Sequence, residues 1–275
     1  MLHTINYFLT RLFDYILYPF SFIADFWGIL FLSILMSFVV LYIYKWVSSP
    51  KAIKNTKNQI KASILAIRLY KDLWKVIVIS FFKSLFFTLK YFILNFGPVL
   101  LIIPILFPAF VQMDIRYGLE PFKVGEELVI KAEFAKDLKD LKVELMESDS
   151  YKPTMNPVFI NVIKEANWKV ETLKEGTTQI RIKAGDKIYE KQLYIGKTRG
   201  ATPLSNEKMR DASWNHFLYP AETLLPAEGD LVKISIHYPG KEVSFLGLKL
   251  HWLWYNLILV LIVVVALKNR FGIEF

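Results

Sequence analysis

The membrane-spanning character of the chain is clearest in WGILFLSILMSFVVLYIY, residues Trp27 to Tyr44, where eighteen consecutive residues carry no charge. Asp25 and Lys45 lie just outside this run. Eighteen helical residues are about the minimum that crosses the roughly 30 Å hydrocarbon layer of a bilayer. Two further uncharged runs cover 91–113 and 251–267. The sequence therefore predicts three transmembrane helices, at residues 26–47, 91–113 and 251–268.

The positive charge of the chain is concentrated in one segment. The 275 residues carry a net charge of +9, and residues 45–90 alone, with ten basic side chains and one acidic side chain, account for all of it. Residues 114–250 contain 21 basic and 21 acidic side chains. The composition, 54% hydrophobic and without cysteine, excludes a disordered chain, a disulfide scaffold and a cysteine zinc finger.

The charge distribution predicts an orientation. Lys and Arg are retained on the cytoplasmic side of a membrane, so segment 48–90 is expected inside. The N-terminus and residues 114–250 are then outside, and the tail 269–275 is cytoplasmic, consistent with Lys268 and Arg270. We therefore expect a multi-pass protein of the cell inner (cytoplasmic) membrane. The predicted interfacial anchors are Trp27, Trp46, Trp252, Trp254 and Tyr255.

Residues 1–25 and the second predicted span contain further patterns that predict local structure. Residues 1–25 are predicted to form an interfacial amphipathic helix, the alternative being a loosely attached N-terminus, and no cleavable signal peptide is evident. The apolar positions at helical spacing are Leu2, Ile5, Leu9, Leu12, Phe13, Ile16, Leu17 and Phe20. Prolines 98, 104 and 108 in the second span predict a kinked or partly unwound helix, which could be an ordinary kink or could line a cavity.

Segment 48–90 is predicted to be a helical hairpin formed by residues 50–70 and 71–90. Its cytoplasmic basic surface comprises Lys51, Lys54, Lys57, Lys61, Arg68, Lys71 and Lys75. These charges could set topology and attract anionic lipid, at about 1 kcal/mol per basic residue. They could instead receive an acidic or nucleic-acid partner, such as ribosomal RNA, or an emerging hydrophobic segment. A fourth span at 76–96 is a third interpretation, disfavoured because it would place Lys83 and Lys90 in the bilayer.

Strict apolar and polar alternation begins after Pro121 and predicts an antiparallel sheet. The predicted strands are 128–134, 141–145, 168–173, 179–184, 187–195, 231–238 and 242–245. Turn residues at 184–186 and 239–240 predict two hairpins. Seven or eight short strands in residues 114–250 indicate an extracytoplasmic, all-β, immunoglobulin-like sandwich domain. The expected fold is therefore three transmembrane helices with a cytoplasmic helical hairpin and this outer domain.

Catalytic and metal chemistry is not expected. The long segment 198–229, with a predicted short helix at 205–217, contains Asp211, His216 and Glu222, which could be joined with His237. None of these histidines has a metal-ligand spacing, and no phosphate-binding loop, nucleophile elbow or supported carboxylate pair occurs. We expect no enzyme activity, no cofactor and no metal, and we expect this segment to pack over the sheet or rest on the membrane surface.

The span and basic hairpin resemble the YidC/Oxa/Alb superfamily of membrane insertases. The similarity is closest in LYIYKWVSSPKAIKNTKNQIK, residues 41–61, which resembles the junction of span and coiled coil in archaeal YidC-like proteins and in the third subunit of the endoplasmic-reticulum membrane protein complex. The resemblance implies a three-span core with a hydrophilic groove open to the cytoplasm, near which Lys83, Lys90 and Asn95 would lie. The outer domain before the last span departs from that pattern. The tail at 271–274 also resembles that of a group of bacterial membrane proteins.

These features predict an insertase-like or chaperone-like factor in membrane-protein biogenesis. The expected partners are the lipid bilayer, nascent membrane-protein segments and the ribosome or translocon, and no DNA. The alternative is a membrane-anchored structural or interaction protein whose β-sandwich binds an extracytoplasmic protein.

Overall fold

The structure is a computed structural model that describes residues 2–138, 141–197, 200–211 and 214–273. The chain forms two compact units, each built from separated parts of the sequence. The β-rich unit comprises Met1–Ile29 and Ala109–Leu253, and the helical unit comprises Leu30–Pro108 and Trp254–Phe275. The resemblance noted at 271–274 falls partly outside the described residues, because Glu274 is not among them.

Long helices precede and follow the β-rich region along the chain. The helices are α1 (Leu2–Leu17), α2 (Asp25–Val47), α3 (Pro50–Leu69), α4 (Trp74–Met113), α5 (Trp214–Leu218) and α6 (Trp252–Phe271). A 3₁₀ turn, Tyr18–Phe22, follows α1, and a π-helical turn, Asp114–Gly118, follows α4. Among the described residues, three helical segments are long and apolar enough to cross a membrane: Asp25–Val47, Trp74–Gly118 and Trp252–Phe271. The prediction of three such helices is confirmed.

The residues predicted as the second helix of the hairpin and those predicted as the second span lie in one helix. One helix, α4, runs without interruption through 40 residues, so segment 71–90 and the second span are the same helix. The chain turns earlier, at residues 70–73. Lysines at helical spacing do not break a helix, because they can extend from one side of it. The α-helical assignment also continues through Pro98, Pro104 and Pro108, so the predicted partial unwinding does not occur.

Among the described residues of the β-rich part there are eleven strands. They are β1 (Glu127–Phe134), β2 (Val143–Leu145), β3 (Tyr151–Pro153), β4 (Val158–Ile160), β5 (Glu165–Thr172), β6 (Gly176–Ala184), β7 (Lys187–Ile195), β8 (Glu207–Met209), β9 (Leu231–Ser235), β10 (Val243–Phe245) and β11 (Leu248–Leu250). The largest sheet has the order β3-β5-β1-β9-β8, and β4 also pairs with β5. A second sheet has the order β2-β6-β7, and β10 pairs with β11. The paired strands are antiparallel.

The inward side chains of the two larger sheets share one hydrophobic core. Along β1, every second residue is buried, as period-two alternation predicts. Ile130 on β1, Val170 on β5 and Ile182 on β6 are fully buried members of this core, and Trp168 packs with them. The expectation of a region of antiparallel sheets is therefore confirmed.

Two local predictions in this region are wrong. Residues 239–240 do not form a hairpin turn, because Gly240 pairs with Leu119. The hairpin turn lies at Leu246 and Gly247, where both residues have positive φ. The predicted helix at 205–217 is replaced by β8, which pairs with β9, and by the short α5; residues 212 and 213 of that prediction lie outside the described part. The turn at Gly185 does join β6 and β7.

Candidate functional site

The predicted cytoplasmic basic surface lies on the exposed sides of α3, in the turn at residues 70–73 and at the start of α4. All seven of its residues are exposed: Lys51, Lys54, Lys57, Lys61, Arg68, Lys71 and Lys75. Ile53, Thr56 and Ser63 are the buried residues of α3. Their spacing of three and seven residues places them on one side of the helix, so the charged side remains accessible to a partner.

The three residues predicted to lie near a groove do not meet on α4. Lys83 and Lys90 are exposed and, at 100° per residue, lie about 20° apart around the helix. Asn95 lies about 140° from Lys90 around the axis. Its side-chain amide donates a hydrogen bond to the Tyr91 carbonyl at 2.7 Å, and its carbonyl oxygen accepts one from the Tyr44 hydroxyl at 3.2 Å. Asn95 thus belongs to an interhelical contact, whereas the two lysines form an exposed stripe.

A second polar contact joins α6 to α2. The Asn256 amide donates to the Ser33 hydroxyl at 2.9 Å, and the Ser37 hydroxyl donates to the Ser33 carbonyl at 2.7 Å. All three residues are buried. Sequence reasoning did not single them out, although polar side chains inside uncharged runs are the available signal.

The predicted interfacial anchors divide into two groups. Trp27, Trp46 and Trp254 are exposed, as an anchor in lipid headgroups requires. Trp252 and Tyr255 are buried, so the prediction does not hold for them. The Trp252 indole N–H donates to the Asp114 carboxylate at 3.0 Å and joins the start of α6 to the turn after α4. A buried indole needs such an acceptor.

Helix α1 packs on the β-rich part through polar side chains. The Asn6 amide donates to the His216 carbonyl at 2.9 Å, and the Thr10 hydroxyl donates to the Pro220 carbonyl at 3.4 Å. Asn6 and Thr10 are buried. Several of the helix's large apolar side chains are instead exposed: Ile5, Phe8, Leu12 and Tyr15. Helix α1, in the segment predicted as an amphipathic helix at residues 1–25, therefore buries Asn6 and Thr10 together with Leu17 and leaves several large apolar side chains exposed.

A buried arginine at the end of the second long helical segment holds α1. The Arg116 guanidinium donates to the Asp14 carboxylate at 2.5 Å, to the Thr10 carbonyl at 3.1 Å and to the Gln112 side-chain oxygen at 2.5 Å. The Arg116 side chain is 0% exposed and that of Asp14 is 35% exposed. A charged group this deeply buried needs a counterion and hydrogen bonds, and Asp14 supplies both.

A cavity of about 440 Å³, here named the α1 cavity, lies between α1 and the β-rich part. Its lining includes Lys191 on β7, Lys208 on β8 and Glu222 in the segment after α5. Lys191 is 0% exposed; its ammonium group donates to the Glu222 carboxylate and to the Ser205 carbonyl. Burial lowers the pKa of Lys191, and the Glu222 carboxylate partly opposes that effect. The Gln192 backbone N–H also donates to Glu222, at 3.0 Å.

The residues considered in the sequence for a possible site are only partly brought together. His216 and Glu222 both line the α1 cavity. Asp211 is exposed beside Arg210, and His237 lines a different cavity. Within the described part of the chain, no group of three or more His, Cys, Asp or Glu side chains is positioned to hold a metal ion. The arrangement offers hydrogen-bond donors and acceptors of both charge signs, which suits binding.

Lys191 and Arg116 occupy sequence positions that indicate burial, and sequence reasoning missed both. Lys191 occupies the apolar phase of β7, between Tyr189 and Leu193, where period two predicts a buried side chain. Arg116 follows a 23-residue uncharged run. A charge in either position is buried with a partner more often than it is left alone. The partners, Glu222 and Asp14, are too distant in sequence to be inferred.

The chain matches no protein-family model, no curated protein and no solved structure.

Proposed function

We propose that this protein is an insertase-like factor in membrane-protein biogenesis, with α3 and α4 forming the surface that handles client segments. In this proposal α2, α4 and α6 cross the cytoplasmic membrane. Segment 48–90 faces the cytoplasm, and the N-terminus and the β-rich part, as an immunoglobulin-like sandwich, lie outside. The support for this orientation is the concentration of net positive charge in residues 45–90.

The observation that carries the proposal is the uncovered apolar surface of α4. At 1.5 Å per residue, 40 residues extend about 60 Å, roughly twice the 30 Å hydrocarbon thickness. In an apolar 18-residue window of the helical segment Trp74–Gly118, 17% of the residues are buried. In the corresponding window of α2, 44% are buried. If the second half of α4 crosses the bilayer, the apolar side chains of its first half therefore extend beyond the hydrocarbon layer.

The first half of α4 combines apolar and basic side chains. Its exposed large apolar residues are Trp74, Val78, Ile79, Phe81, Phe82, Leu85, Phe86 and Leu89. Lys83 and Lys90 lie among them and are exposed as well. Such a surface suits an apolar client helix before it enters the bilayer, with the lysines attracting acidic groups that flank the client. Asn95 contacts Tyr44, and Asn256 contacts Ser33, within the helices proposed to cross the membrane. These contacts support the proposal because polar side chains inside a membrane often have a functional role.

Charge reversal at the two lysines tests this function. The double variant Lys83→Glu and Lys90→Glu should insert a single-span substrate into reconstituted vesicles at least tenfold more slowly, because each basic residue near a membrane surface contributes about 1 kcal/mol and reversal also adds repulsion. A matched control is Lys174→Glu with Lys183→Glu, which reverses two exposed lysines of the β-rich part. Insertion at the wild-type rate by the folded Lys83 and Lys90 double variant would contradict the proposal.

A second candidate function is supported by an exposed apolar segment on the β-rich part. Residues 153–163 carry no charge, and all of them are exposed. The large apolar members are Met155, Val158, Phe159, Ile160, Val162 and Ile163. An apolar patch of this kind marks protein interaction sites on soluble surfaces. It favours a membrane-anchored protein that binds an extracytoplasmic partner.

Replacing apolar side chains in this segment distinguishes the two functions. If the second function is correct, Phe159→Ser with Val162→Ser should reduce crosslinking of the full chain to extracytoplasmic proteins at least tenfold, since burying each large apolar side chain contributes about 1.5–3 kcal/mol. Client insertion in vesicles should stay unchanged. Exposed Val129→Ser on β1 is the control. Unaltered crosslinking in the double variant would rule out this segment as the partner site.

A further inference from the structure

The α1 cavity contains charges of both signs in a small space. Its basic lining residues are Arg11, Lys191 and Lys208, and its acidic lining residues are Asp14, Glu190 and Glu222. Lys191 and Glu222 bind each other at the buried end. Of the remaining four residues, Arg11 and Glu190 are exposed and Asp14 is 35% exposed, whereas Lys208 is 14% exposed and lies 3.9 Å from the Glu222 carboxylate. The cavity therefore presents two cations and two anions to a ligand.

These four residues have hydrogen-bonding capacity beyond their contacts in the described structure. Arg11 donates through Nε to the Tyr7 hydroxyl at 3.3 Å, and a guanidinium has four further N–H donors. Lys208 donates to the Glu190 carbonyl at 2.6 Å, and an ammonium has three donors. Asp14 uses Oδ1 for Arg116. Its other carboxylate oxygen and the Glu190 carboxylate can accept bonds from a ligand cation.

A ligand that satisfies both signs must itself be zwitterionic. A phosphate group matches the N–H donors of Arg11 and Lys208, and a primary ammonium matches the carboxylates of Asp14 and Glu190. The cavity volume of about 440 Å³ lies within the range of small-molecule sites. A purely anionic ligand would place its negative charge beside the carboxylates of Asp14 and Glu190, and a purely cationic ligand would place its positive charge beside Arg11 and Lys208.

The surface beside the cavity points to the source of such a ligand. Tyr7 and Arg11 at the cavity belong to α1, and exposed Phe8 and Leu12 follow them directly in sequence. Helix α1 is also tied to Gln112 and Arg116, where the second long helical segment ends. An acyl chain could therefore lie along the apolar outward side of α1 while a headgroup occupies the cavity.

We infer that the α1 cavity binds the headgroup of a zwitterionic phospholipid with a primary amine, of the phosphatidylethanolamine type. The phosphate lies against Arg11 and Lys208, and the ammonium lies against Asp14 and Glu190. This inference rests on the membrane placement proposed above and is independent of client insertion. It gives the β-rich unit a function of its own, which is to hold lipid at the surface where α1 lies.

Binding to the detergent-solubilised full chain tests the inference by native mass spectrometry. We expect phosphatidylethanolamine to bind about tenfold more tightly than phosphatidylglycerol with the same acyl chains, since a hydrogen bond to a charged group changes affinity by at least that factor. Arg11→Gln should weaken binding of both lipids, and Glu190→Gln should reduce the preference between them, because Asp14 remains. Both residues are exposed, so both variants should fold, which circular dichroism checks.

Matched control variants and the soluble headgroup phosphoethanolamine distinguish the possible outcomes. Lys142→Gln and Glu144→Gln change exposed charges on and beside β2, away from the cavity lining, and should leave both affinities unchanged. Equal affinity of the wild type for the two lipids, or an undiminished preference in Glu190→Gln, would overturn the inference. Phosphoethanolamine that binds as tightly as the lipid would retain the zwitterion site but overturn the lipid as its source. Client insertion that fails while lipid binding persists would overturn only the function proposed above.

Discussion

Glu222→Gln is expected to lower the free energy of unfolding of the β-rich unit by about 3–5 kcal/mol, because removing one partner of a buried ion pair leaves the other charge without compensation. Lys191 is 0% exposed, and Glu222 is its acidic partner. Urea denaturation of the full chain in detergent, followed by the fluorescence of buried Trp168, measures the loss. The control is Glu190→Gln, an exposed neighbour on β7, which should change stability by less than about 0.5 kcal/mol.

The same variant should have a characteristic pH dependence. Burial lowers the pKa of Lys191 from its ordinary value of 10.5, and Glu222 opposes that effect. Removing Glu222 should lower the pKa further. Between the folded and unfolded pKa values the unfolded state binds more protons, so stability rises with pH. The deficit of Glu222→Gln should therefore shrink as the pH rises toward the ordinary lysine value of 10.5; a deficit that grows with pH would contradict the assignment.

The second large effect on stability is expected at Asp14, on the α1 side of the α1 cavity. Asp14→Ala should destabilise the attachment of α1 by about 3 kcal/mol, because fully buried Arg116 then has no carboxylate partner. Limited proteolysis should release α1 at a lower denaturant concentration than in the wild type.

A double variant separates the buried charge from general loss of packing. Arg116→Met combined with Asp14→Ala removes both members of the pair and should recover a large part of the stability lost in Asp14→Ala. If the double variant is as unstable as the sum of the two single variants, the ion pair is not the reason for the loss. None of these substitutions removes a donor or an acceptor of the bonds from Asn6 to His216 and from Thr10 to Pro220.

The repeating parts of this fold could be predicted, because each depends on neighbouring residues. The uncharged run bounded by Asp25 and Lys45 predicted the long apolar helix α2, and period-two alternation predicted β1, β6 and β7. The continuity of α4 could not be predicted in this way. Lys83 and Lys90 suggest a surface segment and Pro98 suggests a break, but a helix tolerates both when its side chains and backbone adjust.

The cavity depended on long-range contacts and was therefore missed. Asn6 and Thr10 appear to local pattern analysis as polar interruptions of an apolar helix, yet they are its buried contacts. Their partners, His216 and Pro220, are 210 residues away. The apolar periodicity of α1 was visible, but the direction of its apolar side depends on which surface those distant residues provide.

The attachment of α1 also has a consequence for synthesis. Helix α1 is translated first, but its acceptors on His216 and Pro220 are made 210 residues later. At about 5–20 residues per second, it waits roughly 10 to 40 seconds for them. All of α2, α3 and α4 leaves the ribosome during that interval. The β-rich unit can therefore close only after the chain has been translated almost to α6, and a protein lacking its first helix would be missing one wall of the cavity.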